Sequence, residues 1–306
     1  AGIVPVSRNQ DIAGPIARSV SDLALLLDAT VGFDSADRQT ALSLGHVPDS
    51  YLGGLAIAAL DGARIGVLED LLLRDPEDTE VVAVMGSAIS QMQAAGAEFE
   101  RIKAPEVLAL MDSRVDGFFV LAHDFRSDME AYLDAQRDRP VEDVADILAR
   151  GQHHASIDDS LRLAQAMERG SEGEYLAELQ HRQMFREVVL AIMARNRLDA
   201  LLYPAVRQIA APLSQSQPGS NCRLSANTGL PAITVPAGFT PDGMPVGLEL
   251  LGPAWSEAKL LSLAFSVEHQ LDLRRPPPVM PPPVMPPGIH PSLELIPSDQ
   301  PLAPGN

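Results

Sequence analysis

The 306-residue chain is 46% apolar, enough to bury a sizeable core, and its formal charge of −18 would repel nucleic-acid phosphate and anionic lipid alike. Nucleic acid and membrane surfaces are therefore excluded as partners. Lys103 and Lys259 are the only lysines, and the arginines that supply the other positive charges stay protonated and do not readily act as general bases.

One cysteine, Cys222, cannot form an intrachain disulfide and offers no paired-thiol motif for zinc or redox work, so a reducing compartment fits. Residues 1–10 show no basic-then-apolar signal pattern, and no stretch reaches the roughly 18 uninterrupted apolar residues of a spanning helix. The expectation is a cytoplasmic protein. The opening run Gly2-Ile3-Val4-Pro5-Val6, with no initiator Met, reads as though cut from a longer chain.

In chain order, Ser19 precedes an apolar series at Val20, Leu23, Ala24, Leu27 and Val31, with Asp22 in the first turn, which predicts an amphipathic helix. Arg64 to Leu68 reads as a buried strand. Asp75 and Pro76 then stand at cap and first-turn positions of a helix carrying Val82, Met85, Ile89 and Met92 and closed by Gly96. Phe99 to Ile102 supplies a second strand, which makes residues 64–102 a right-handed βαβ unit of a parallel sheet. From 107 to 196 the pattern is helical, through Phe118, Phe119, Phe125, Met129 and Leu133, then Val141, Val144, Ile147 and Leu148, then Leu179, Phe185, Val188, Val189 and Ile192. These helices are expected to pack on the sheet.

Strand signals return at Leu198–Tyr203, Ala232–Pro236 and Val246–Leu251, the last two joined by the turn chemistry of Thr240-Pro241-Asp242-Gly243. An antiparallel pair beside a parallel unit makes the sheet mixed. A last helix is expected from Ser256 to His269. After Arg275 the repeat Pro-Pro-Pro-Val-Met predicts polyproline II, so residues 273–306 read as a disordered, low-complexity tail, with a proline-recognising partner as the alternative.

Four local patterns invite a catalytic reading. Ser256-Glu257-Ala258-Lys259 matches S-x-x-K, yet its companion motifs are missing; Ser256 capping the last helix beside a solvated Lys259 is the simpler account. His153-His154 and Asp158-Asp159 hold metal-donor atoms, but adjacent helical residues diverge by about 100°, so the two imidazoles would not share a face. Cys222 has no marked histidine partner and reads as a buried or partly exposed structural thiol. Carboxylate pairs are plentiful, and nothing separates a catalytic pair from an acidic solvated surface.

Two longer segments carry a sharper signal. Residues 2–28, with Gln10-Asp11, Gly14-Pro15 and Arg18, resemble the stretch that follows the Gly- and Ser-rich signature of amidase-signature enzymes. Residues 227–252, with Asn227, Gly229-Leu230-Pro231-Ala232, Val235-Pro236-Ala237-Gly238, Asp242-Gly243, Pro245-Val246-Gly247 and Leu250-Leu251-Gly252, are similar to that family's C-terminal block. Between them, Phe125, Asp128, Ala131-Tyr132-Leu133 and Pro140 to Asp146 resemble the helical region of carboxamide-hydrolysing members.

The resemblance implies an α/β fold, an incomplete α/β/α arrangement of a mixed sheet flanked by helices, with residues 1–272 as the C-terminal portion of one amidase domain. It further implies acyl transfer by a Ser nucleophile, a bridging Ser in a cis peptide and a Lys, without metal or organic cofactor. In the family these residues precede the matching segment, and no Gly-Gly-Ser element occurs here, so no catalytic residue is assigned and the chain alone is expected to be inactive. Asn227, Thr228 and Gly229 are expected near a small-molecule amide substrate, while Asp11 and Arg18 read as an ion pair or cap at the entry to the first helix, with Gly14-Pro15 as a turn. Unpaired sheet edges and uncovered apolar surface would lead to instability, self-association or a complementing N-terminal segment. The alternatives are a non-catalytic interaction protein on a decayed amidase fold and the C-terminal subunit of a split amidase.

Overall fold

Five strands, β1 (Arg64–Leu68), β2 (Glu98–Ile102), β3 (Ala200–Pro204), β4 (Ala232–Phe239) and β5 (Pro245–Leu251), pair in the order β2-β1-β3-β5-β4. In this computed structural model the described residues are 3–112, 117–166 and 172–276. The side chains of Phe118 and Phe119 and the Pro-rich stretch from 277 onward, with its expected polyproline II, lie outside them. β1 runs parallel to β2 and β3, whereas β5 is antiparallel to both β3 and β4, so the sheet is mixed as the turn at Thr240–Gly243 implied. All of β3, and four of the five residues of β1, are buried, the mark of strands covered on both faces.

One face is covered by α1 (Val20–Thr30), α2 (Thr79–Ala94) and α9 (Glu257–Leu271), which enclose Ile65, Val67, Leu202, Leu248 and Leu250. On the other, α3 (Pro105–Asp112), α7 (Glu172–Asn196) and the short α8 (Arg223–Thr228) pack over Leu68, Ile102, Leu201, Tyr203 and Leu251. Beyond α7, α4 (Gly117–Asp134), α5 (Val144–Arg150) and α6 (Asp158–Ala166) form a satellite around Met129, Leu133, Val144 and Leu161. Residues Ala1–Arg274 constitute one compact unit. Among the described residues no helix is long and apolar enough to cross a membrane.

Local chemistry accounts for these elements. Ser19 accepts the Asp22 amide at 3.1 Å and caps α1, while Glu268 of α9 receives the Val20 amide and sets a carboxylate at the positive end of the helix. Asp75 and Pro76 open a 3-10 turn at Pro76–Asp78 rather than α2 itself, which starts at Thr79. The buried stripe of α2 is Val81, Met85, Ala88 and Met92, with the expected Val82 and Ile89 packed half-buried beside it. Ser256 occupies the residue before α9, but its hydroxyl is buried without a partner and caps nothing; Lys259 is not simply solvated, since it pairs with Asp199 at 3.0 Å.

A buried polar knot joins the carboxyl ends of β1 and β3. Asn221 donates to the carbonyls of Leu71 (3.0 Å) and Pro204 (2.8 Å) and accepts from Arg207 Nη1, whose Nε reaches Asp78 at 3.0 Å. Burial alone would raise the Asp78 carboxyl, but hydrogen bonds from the Arg74 and Asp75 amides, Gln208 and Arg207 outweigh it and hold the group below the ordinary carboxylate range. A carboxyl depressed by folding adds stability above its unfolded value, about 3.9, and that contribution disappears as pH falls through the folded value. Arg207→Ala is expected to destabilise by about 3–5 kcal/mol, because it leaves Asp78 buried and unpaired. In urea unfolding followed against pH, Asp78→Asn should flatten the acid limb of the stability profile. An unchanged limb would show that Asp78 does not control it.

Candidate functional site

The expected substrate residues lie at the end of α8, where Gly229 (φ 61°) adopts the left-handed conformation that stops the helix and returns its amide to Ser225 O at 2.9 Å. Thr228 is buried, and its hydroxyl donates to Leu224 O at 2.6 Å. Asn227 is half-buried and Gly229 exposed, immediately before β4. Of the three residues, Asn227 and Gly229 therefore face outward, while Thr228 is occupied inside its own helix.

Beside α8 a polar row crosses the sheet. Registers Tyr203↔Glu249 and Thr234↔Glu249 align three side chains on one face of β3, β5 and β4. The Tyr203 phenol donates to Glu249 Oε1 at 2.6 Å, and Thr234 Oγ1 donates to Oε2 at 3.3 Å. Tyr203 is fully buried and Glu249 nearly so, whereas Thr234 is exposed. Burial, then the adjacent Glu249 charge, pushes the phenol well above its usual range, so Tyr203 stays a donor. Sequence reasoning passed over Glu249, although an acid within the apolar strand run Val246–Leu251 was a legible signal.

A second polar cluster fixes the segment before α1. Asp124 of α4 accepts from Ser7 Oγ (2.5 Å), Asn9 Nδ2 (2.9 Å) and the Tyr175 phenol (2.7 Å), and His123 stacks on the Tyr175 ring at 3.9 Å. Asp128, one turn later, accepts the Arg8 amide at 2.6 Å and pairs with its guanidinium at 3.1 Å. From α7, Arg182 donates to Gln10 Oε1 at 2.8 Å and stands 3.7 Å from Glu178. Burial pushes the Tyr175 phenol up, and the Asp124 carboxylate adds to the effect; burial also lowers Arg182, opposed by Glu178. The apolar reading of α4 and α7 missed these groups. Their spacing, Asp124/Asp128 and Glu178/Arg182 at i,i+4, sets each pair on one helix face.

The remaining candidates are spread across the fold. Asp11 accepts the amides of Val6 (2.7 Å) and Ser7 (3.1 Å), so it closes a turn ahead of α1 rather than capping the helix or pairing with Arg18. Gly14-Pro15 lies in an exposed stretch without regular structure, not in a turn. Arg18 instead lines an open, largely apolar groove of about 650 Å³ with Ile16, Asp22, Leu25, Leu26 and Ala29. His153 pairs with Asp158 at 2.8 Å and His154 turns back to Ser156, so the two imidazoles diverge; among the described residues no trio of His, Cys, Asp or Glu is placed to hold a metal. Cys222 is exposed rather than buried, and Lys103 is also exposed.

Comparison with known proteins agrees with the architecture. The sequence model of the Amidase family matches residues 1–261. A probable amidase of Arabidopsis thaliana is 28% identical over 90% of this chain and 52% of its own length. The glutamyl-tRNA(Gln) amidotransferase A subunit of a Marinomonas species is 28% identical over 91% of this chain and 58% of its own. Among solved structures, the native peptide amidase of Stenotrophomonas maltophilia superposes with a TM-score of 0.80 at 32% identity, over 90% of this chain and 56% of that one. The chain thus spans about half the length of the relatives it matches.

Asp124→Ala should destabilise the chain by about 3 kcal/mol, since it leaves the buried Ser7 hydroxyl and the half-buried Tyr175 phenol without their shared acceptor. Hydrogen exchange at the Arg8 and Asn9 amides should accelerate in the variant while β1 and β3 keep their protection. Uniform acceleration would show that the cluster stabilises the whole fold rather than this segment.

Proposed function

Since the chain belongs to the amidase family, we propose that it is part of an enzyme hydrolysing the C–N bond of a linear carboxamide, and that it does not turn over substrate by itself. The observation that carries this reading is the family match over residues 1–261 on a mixed sheet like that of the peptide amidase. In the family's chemistry, Lys draws a proton through the bridging Ser, the nucleophilic Ser attacks the carbonyl, and backbone amides of a Gly-rich loop hold the oxyanion. The sequence has no Gly-Gly-Ser element to supply that loop. Of its two lysines, Lys259 is paired with Asp199 and Lys103 lies on an exposed connection between β2 and α3. Loss of a nucleophile and its base costs on the order of 10⁶ in rate.

The reading that this chain works as one part of a two-part enzyme is favoured by its surface. Ile16, Leu25 and Leu26 are exposed together along one groove, and Ile3, Val4 and Ile12 of the preceding segment are exposed too. Similarity to an amidotransferase component that by name is one subunit of a larger assembly points the same way. The partner is a polypeptide bearing the nucleophile and its base, with a small-molecule amide as substrate and no organic cofactor.

The purified chain should release no ammonia from a peptide amide, and co-refolding with a polypeptide carrying the family's serines and lysine should restore release. On sizing columns the isolated chain should self-associate. Hydrolysis by the chain alone would sink the reading, and a strictly monomeric species with one sharp unfolding transition would remove the two-part version.

A further inference from the structure

We propose that Glu249 anchors a subsite for a cationic amine, the primary ammonium of an amino-acid amide or similar carboxamide, received by Oε2 at the Thr234 end of the polar row. The geometry around Glu249 is that of an acceptor. The Tyr203 phenol donates to Oε1 and the Thr234 hydroxyl to Oε2, so both carboxyl oxygens of Glu249 accept. Among the described residues no Arg, Lys or His lies within ion-pair distance of this nearly buried carboxyl.

The Thr234 end of the row is its exposed side. Oε1 is consumed by a short bond inside the core, while Oε2 has a single long one at 3.3 Å from an exposed threonine. Flanking positions are small or compact: Ala232 and Pro236 are exposed on β4, and at Gly247 an added Cβ would meet Thr234 Cγ2 at 2.8 Å. A primary ammonium carries three donors on a compact charge, and its attraction to a carboxylate strengthens where water is excluded. An anionic ligand would be repelled. The exposed Gly229 at the end of α8 borders the same strand, where the carboxamide of such a ligand would extend.

This rests on the amidase reading only for the amide half of the ligand; binding of the ammonium does not require turnover, so the two ideas fail separately. The probes are glycinamide and its uncharged analogue acetamide, titrated into the isotope-labelled 306-residue chain and followed by amide shifts at Thr234, Gly247 and Glu249. Glycinamide should bind at least about tenfold more tightly than acetamide, and Glu249→Gln should erase that preference. Thr234→Lys is a second variant at an exposed position: its ammonium should fill the subsite, abolish glycinamide shifts and raise the melting temperature. Equal binding of both probes, no shift with glycinamide, or a preference that survives Glu249→Gln or Thr234→Lys would overturn the proposal.

Discussion

The arrangement of this sheet depends on one buried ion pair, Arg207 with Asp78, and on Asn221 beside it. Parallel β1 and β3 meet over only three register pairs, so their carboxyl ends need another tie. Asn221 supplies it by donating to one carbonyl from each side, and Arg207 joins that amide to the turn that opens α2. Open α/β sheets commonly bind ligands in the crevice outside the carboxyl ends of their strands. Here that position is filled by the knot. Exposed sheet surface is found instead on β4, at Ala232, Thr234 and Pro236, beside the end of α8.

Charge shows the same division of labour. Among the described residues five carboxylates are buried, Asp78, Asp124, Asp128, Glu178 and Glu249, in a chain that is already strongly acidic. Arg207, Arg8 and Arg182 stand against Asp78, Asp128 and Glu178, and Asp124 has His123 at 3.8 Å beside its three donors. Those four carboxylates hold loops and helices together. Glu249 differs from them in being met by hydroxyls alone, those of Tyr203 and Thr234.

The fold was largely legible because its elements are signalled locally. Ser19 as a cap, the helix start after Asp75-Pro76, the Thr240–Gly243 hairpin and the apolar runs of β1 and β3 each depend on nearest neighbours, and each appears within a few residues of its expected place, α2 beginning three residues beyond Pro76. Hydrophobic periodicity shows which face of a helix is apolar. It cannot show that the N-terminal half of α7 turns Glu178 and Arg182 inward, because their partners lie far away in sequence: Gln10 is 172 positions from Arg182. Ser256 and Lys259 were misread for the same reason, since the orphaned hydroxyl and the Asp199 pair are set by tertiary contacts.

The edges of the sheet limit how a second polypeptide could complete it. β2 exposes Glu98 and Arg101, charges that discourage a further strand. β4 carries Pro236, which lacks an amide proton, and its register slips between Pro236 and Gly238. Both edges are blunted by devices that natural sheets use against strand addition. Exposed apolar side chains lie elsewhere, on Ile16, Leu25 and Leu26. A contact through that surface would bury side chains without extending β4 and would leave the exposed face of Thr234 and Ala232 free. A partner and a ligand could then be held by different parts of the chain at the same time.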